Sequence, residues 1–189
     1  MTDVSVVTRR NVLGGLAAGL GAIAAAPVFA GTPAVLTGAG NIRSIKIFNP
    51  RTGERLDSIY WVEGEYIPQV LDEVNYLFRD WRRNELRSVD VRTIDIMAAA
   101  ARLMDTDEPY QLMSGYRSPE TNNALRATTR GVARNSYHTR AMAADLRLSS
   151  RSVQNMYDAG VACGAGGVGR YPRSNFVHFD CGPVRTWRG

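Results

Sequence analysis

The chain has 189 residues, 44% of them hydrophobic, and a net charge of +5. That length suits one domain, and that hydrophobic share suits an ordinary globular core. The basic balance fits an anionic surface or an acidic polymer. The arginines are scattered, with no long basic run and no aromatic interleaving, which argues against a nucleic-acid binder.

The first thirty residues differ from the rest. Thr8-Arg9-Arg10-Asn11-Val12-Leu13 is a twin-arginine start, followed by an Ala/Gly/Leu-rich stretch to Ala26. Val28-Phe29-Ala30 then offers small residues at the positions a signal peptidase reads. The apolar run is short and rich in glycine and alanine, so it makes a poor membrane span. It reads as a cleavable twin-arginine export signal over residues 1–30, with a retained N-terminal anchor as the alternative. The mature product is then expected in the periplasm, with no stable membrane insertion, as a monomer. Residues 31–40 read as a flexible lead-in and residues 41–189 as one domain.

Within that domain, Asn41 to Asn49 alternates like a strand and Pro50-Arg51-Thr52-Gly53 reads as a turn. Leu56 to Val62 reads as the second strand of a hairpin. Tyr66 to Asp80 carries apolar residues at helical spacing, and Trp81 to Ser88 is charged and loop-like. Asp90 is placed to cap a second helix. Tyr110 to Ser114 reads as a short buried strand. Ser118-Pro119 then offers a cap hydroxyl and a proline at the first helical position, for a helix reaching about Thr129. A loop from Gly131 leads to His138. Asp145 to Leu148 alternates, with the leucines opposite the Asp face. Ser149 to Cys163 reads as a helix, Gly164 to Gly167 as a sharp turn, and Asn175 to Asp180 as the last strand, with Pro183 to Trp187 closing the fold. Interspersed strands and helices with a mainly antiparallel sheet predict an α+β fold.

The two histidines of the chain are His138 and His178. Each has a carboxylate nearby, Asp145 seven positions after the first and Asp180 two positions after the second. Neutral imidazoles with a carboxylate are a good ligand set for Zn2+. Three protein ligands leave an open position, as catalytic zinc requires. The candidate metal ligands are therefore His138, Asp145 and His178. The alternative is two ordinary surface or core histidines. Asp180 shares the strand face of His178 at roughly 6.5–7 Å, suiting it as a general base or as a group that fixes the histidine. The plainer alternative is a structural carboxylate paired with an arginine such as Arg185. Cys163 and Cys181 could pair in an oxidising compartment or remain buried thiols. Cys181 is expected on the face opposite His178, away from any metal.

Ser114-Gly115-Tyr116-Arg117-Ser118, Ser136 to Asp145, and Val177-His178-Phe179-Asp180-Cys181-Gly182, in that order, resemble the YcbK-like murein endopeptidases. These belong to the wider group of zinc peptidases with lysostaphin-type and D-alanyl-D-alanine-cleaving enzymes. The resemblance runs from about Asn41 to the C-terminus. It implies a small antiparallel sheet with zinc on one face and helices on the other, acting on amide bonds of peptidoglycan peptides. Asp180 matches the His-x-Asp-x-Gly pattern of this branch. Several relatives place a carboxylate three residues before the last ligand histidine, or a histidine two before it, where this chain has Asn175 and Phe176. The glycine usual three residues after the first ligand histidine is Ala141 here. The resemblance also implies that Arg117 stabilises the oxyanion or binds a stem-peptide carboxylate, the alternative being an ion pair that holds its loop. Ser136 would orient the loop before His138. A cross-link endopeptidase is the reading of first choice. A D,D-carboxypeptidase of the same chemistry and a non-catalytic cell-wall binding protein are its rivals.

Overall fold

The computed structural model describes residues 41–129 and 131–189. The expected export signal and lead-in lie outside the described residues. Among the described residues no helix is long and apolar enough to cross a membrane.

The chain runs β1 (Ile42–Phe48), β2 (Arg55–Val62), β3 (Glu65–Tyr66), α1 (Pro68–Phe78), α2 (Val91–Leu103), β4 (Tyr110–Ser114), α3 (Pro119–Thr128), β5 (Ala143–Arg147), α4 (Val153–Cys163), β6 (Gly167–Tyr171), β7 (Phe176–Asp180) and β8 (Arg185–Arg188). A 3-10 turn, Tyr137–Arg140, precedes β5. All eight strands join one sheet in the order β3-β2-β1-β4-β5-β7-β6-β8. The architecture is mixed α and β, as expected. The sheet is neither small nor wholly antiparallel, because β1 pairs with β4 and β6 pairs with β8 in parallel. The first of these pairings needs a long crossover, and β2, β3, α1 and α2 all lie between β1 and β4 in the chain. The second arises because the chain turns after Asp180 and returns as β8. The expected last strand is therefore followed by another.

Alternation along the strands sorts the two faces. Ile45, Ile47, Leu112, Leu146, Val177 and Phe179 are all buried and belong to one core cluster with residues of α1, α2 and α4. Asp145, His178 and Asp180 alternate with these core residues and so lie on the other face. The helices do not all share the core side. Only Thr121 and Asn122 of α3 are buried, and Leu125 of α3 lines the cleft above the Asp145 face.

Local chemistry fixes the helix ends. Asp90 accepts from the Arg92 N–H, and Ser118 accepts from the Thr121 N–H with Pro119 opening the helix, so both expected caps form. The helix expected from Tyr66 begins at Pro68, because Tyr66 pairs with Trp61 in the short strand β3. The helix expected from Ser149 begins at Val153. The Glu108 carboxylate takes the Ser149 and Ser150 N–H groups at 2.6 and 2.9 Å, and Ser152 forms a capping box with Asn155. Both cysteines are free thiols. Cys163 packs near the Ile96 carbonyl, and burial pushes the thiols of Cys163 and Cys181 up to about 11.

Candidate metal centre

Strand register brings the centre together. Asp145 of β5 sits opposite His178 of β7, His178 opposite Gly169 of β6, and Gly169 beside Trp187 of β8. The next row runs Ala143, Asp180, Gly167, Arg185. His138 arrives from outside the sheet, on the 3-10 turn. Ser136 caps this turn by accepting from the His138 N–H, and the turn ends at Ala141 in the left-handed region at φ 55°. That backbone explains why glycine suits this position.

Hydrogen bonds outside the centre fix how the rings point. His138 Nδ1 lies 2.7 Å from the Gly115 carbonyl. A carbonyl only accepts, so Nδ1 carries the proton and Nε2 turns a lone pair inward. His178 Nε2 lies 2.9 Å from Asp180 Oδ2, which places a proton there and leaves Nδ1 facing inward. His138 Nε2, His178 Nδ1 and Asp145 Oδ1 then form a triangle with sides of 3.2, 3.2 and 2.9 Å. Two imidazole lone pairs and a carboxylate oxygen that close repel one another unless positive charge lies between them. Donor atoms around a tetrahedral zinc stand about 3.3 Å apart, given bonds of about 2.0–2.1 Å. The residues present therefore fit the metal. Among the described residues these three form the one His/Cys/Asp/Glu cluster close enough to share an ion.

Two of the three groups, His138 and Asp145, already favour the charge state a metal needs. His138 is fully buried, and burial pushes its imidazole below the usual value of 6.5, with Asp145 pulling the other way. A neutral histidine is the ligand form. At His178 burial also favours the neutral form, but hydrogen bonds and charge from Asp145 and Asp180 outweigh it and raise the value. For Asp145 burial favours protonation, while the two histidines hold the carboxyl well below the usual carboxylate range.

Asp180 is not exposed at all. Its Oδ1 accepts from Arg185 Nη1 at 2.9 Å and from the Gly182 and Gly167 N–H groups at 2.9 and 3.3 Å. Its Oδ2 accepts from Arg185 Nη2 at 2.6 Å besides His178. Burial raises its pKa, but His178 and Arg185 hold it far below the usual range. Both readings foreseen for a non-reacting Asp180, a histidine anchor and a partner of Arg185, occur together.

The triangle lies at the base of a cleft of about 480 Å³. Arg117 lines it and is half-buried, with its main-chain N–H on the His138 carbonyl at 3.1 Å. Its Nη2 reaches Ser136 Oγ at 3.4 Å, and its Nε has no partner. Among the described residues no carboxylate lies within ion-pair distance of Arg117, so the loop-holding ion pair does not form. Tyr137, Tyr171, Phe176 and Trp187 wall the cleft together with Arg82 and Arg185. These walls were not foreseen in the sequence, apart from Arg185 as a partner for Asp180. Trp187 lies 5.2 Å from the His178 ring and donates to Tyr171 Oη at 2.8 Å. A second cleft of about 330 Å³, between β1 and α2, holds none of the triangle.

The three donors line an open cleft, and a metal held by three protein ligands keeps a position open for water or substrate. Comparison with known proteins gives the family. Residues 37–187 match the family described as peptidoglycan L,D-endopeptidase MepK, and the chain belongs to it. It is 42% identical over 169 residues to the peptidoglycan L,D-endopeptidase MepK of Escherichia coli strain K12, covering 89% of this chain and 93% of the relative. It is 36% identical over 148 residues to the probable peptidoglycan L,D-endopeptidase MepK of Haemophilus influenzae, covering 78% and 80%. No solved structure matches the chain. The expected kinship with murein endopeptidases is thereby established.

Proposed function

We propose that this chain is a periplasmic, zinc-dependent endopeptidase that cuts an L,D amide bond in peptidoglycan cross-links. The observation that carries the reading is the convergence of His138 Nε2, His178 Nδ1 and Asp145 Oδ1, with both outer ring nitrogens tied to acceptors. Family membership supplies the substrate class, since the relatives carry L,D-endopeptidase in their names. Bound there, zinc supplies Lewis-acid activation of water and of the scissile carbonyl.

The residues of the chain do the rest. Gly115 and Asp180 hold the two imidazoles in their ligand tautomers. Asp145 remains anionic and offsets the charge of the metal. Arg117 presents a guanidinium beside the centre whose Nε has no partner, suited to the oxyanion that develops during amide hydrolysis. Asp180 acts through His178 and not as the base, because both its oxygens are occupied and solvent does not reach it. The twin arginines Arg9 and Arg10 direct the chain to the periplasm.

Purified sacculi incubated with the zinc-loaded protein, with and without chelator, test the reading by chromatography of the muropeptides. The expected result is loss of cross-linked dimers and gain of monomers, abolished by chelator. Trimmed monomers with intact dimers would identify a carboxypeptidase. Sedimentation with sacculi and no change in muropeptides would identify a binding protein.

A further inference from the structure

We propose that Tyr171 is a substrate-positioning residue whose hydroxyl, held by the Trp187 indole, donates a hydrogen bond to a main-chain carbonyl of the peptide near the cut bond. The proposal rests on the peptide-cleaving reading above and adds a contact to it.

Tyr171 stands next to the row of the metal centre. It ends β6 two residues after Gly169, the partner of His178, and so lies on the face of the sheet that carries His178 and Asp145. Two residues of strand separate it from that row by roughly 6.5–7 Å. Its hydroxyl reaches back toward the row. Trp187 lies over Gly169, where an added Cβ would come within 2.6 Å of the indole Nε1, and the same Nε1 donates to Tyr171 Oη at 2.8 Å. The hydroxyl is thus tied to a nitrogen that sits over the partner of His178, in the wall of the cleft that holds the three donors.

An indole N–H only donates, so the phenol oxygen is the acceptor in this bond and its own proton goes elsewhere. Among the described residues nothing accepts that proton. Tyr171 is half-buried in the cleft wall, which leaves the O–H to an acceptor in the cleft. The group is also held still. Phe176 stacks on the Tyr171 ring with centroids 4.4 Å apart and planes 13° from parallel, and a side chain on Gly189 would collide with the ring. Trp187 packs 5.2 Å from the His178 ring and carries the Arg185 guanidinium 4.9 Å from its centre, while Arg185 is fastened to Asp180 by two hydrogen bonds. A donor fixed before the substrate arrives loses little freedom on binding. Every residue of a peptide offers a main-chain carbonyl. An extended peptide advances about 3.3 Å per residue, so a carbonyl within two residues of the cut bond spans the step from the metal row to the Tyr171 row.

The test compares zinc-loaded wild type, Tyr171→Phe and Trp187→Phe. Calorimetry reads the Kd of an uncross-linked muropeptide, kinetics on a purified cross-linked dimer read KM and kcat, and a zinc indicator reads metal affinity. Tyr171→Phe keeps the ring and its stack and removes only the hydroxyl. It is expected to raise KM and Kd by about three- to tenfold, the range of one hydrogen bond. Its kcat and zinc affinity should stay near wild type, because a contact made equally in ground and transition states changes KM alone. Trp187→Phe keeps the hydroxyl but removes the N–H that fixes it, and should shift KM and Kd the same way by less. A Tyr171→Phe variant that binds and cleaves like wild type overturns the proposal. A fall in kcat or in zinc affinity with KM and Kd unchanged overturns it too, marking a transition-state or a structural role. Wild type that binds the muropeptide without cleaving the dimer removes the endopeptidase reading, and the Kd of Tyr171→Phe then decides the contact by itself.

Discussion

At Asp180 five donors converge on two oxygens: His178 Nε2, both Nη atoms of Arg185, and the N–H groups of Gly167 and Gly182. An asparagine keeps the shape, but its amide N–H bonds must face at least one of those donors. The variant Asp180→Asn is therefore expected to loosen His178 and lower zinc affinity by about 10–100-fold, the usual effect of losing an outer-sphere partner. Turnover per zinc-loaded molecule should change far less. If Asp180 were instead the proton acceptor, affinity would hold while turnover fell by about 10²–10⁴. Titration against a zinc indicator and muropeptide turnover on the same preparation separate the two. The role was only half readable in the sequence. The two-residue spacing places Asp180 on the same strand face as His178, so adjacency follows from alternation. That Arg185 closes on it from β8 follows only from the parallel pairing of β6 with β8, which no local pattern announces.

Among the elements, β6 and β8 carry the larger surprise. The run Gly164 to Gly167 reads as a turn, and the turn is there: Gly164 and Gly166 have φ of 62° and 142°. Gly167 and Gly169 serve a different purpose inside β6. A Cβ on Gly167 would strike Arg185 Nη1, and one on Gly169 would strike the Trp187 indole. The missing side chains let β8 lay its arginine on Asp180 and its tryptophan against His178. By contrast, the caps at Asp90 and Ser118 and the core alternation of Leu146 and Leu148 were fully legible, because each depends on residues within one turn or one strand. Gly169→Ala is expected to displace Trp187, cost about 1–3 kcal/mol through overpacking, and weaken zinc binding. Denaturant unfolding and the zinc indicator read both effects. Asp90→Ala removes the cap of α2 and its ion pair with Arg92, while the main-chain bond from the Asp90 N–H to the Ala141 carbonyl stays. It should cost about 1 kcal/mol and leave zinc affinity as it was.

Across the whole molecule, buried or half-buried carboxylates tie the connecting segments to one another and cap helices. Glu54 takes Arg79 at 2.9 Å, Asp80 holds Ser118 and the Arg82 main chain, Asp90 caps α2, and Glu108 anchors Ser149 and Ser150. In each, burial favours the protonated form, and hydrogen bonds from these partners outweigh it, so the folded pKa lies below the ordinary 3.8 for Asp or 4.5 for Glu. A depressed carboxylate contributes stability that is fully present above its unfolded pKa and is lost as pH falls through its folded pKa. The protein stripped of metal by chelator should therefore show a denaturant midpoint that no longer gains from these groups above pH 4.5 and declines steadily below it. As pH falls, zinc-loaded protein should begin to lose stability at a higher pH than the stripped protein does, because protons compete with the metal for the two imidazoles. Histidine titrates around 6.5 when unperturbed, and the neighbours of His178 raise its value. The separation between the two curves then measures the metal's contribution to stability and vanishes once both histidines are protonated. Removing either ligand, as in His138→Ala, should collapse the two curves onto one across the whole range. Two curves that stay apart in His138→Ala would mean that the stabilising metal is held elsewhere.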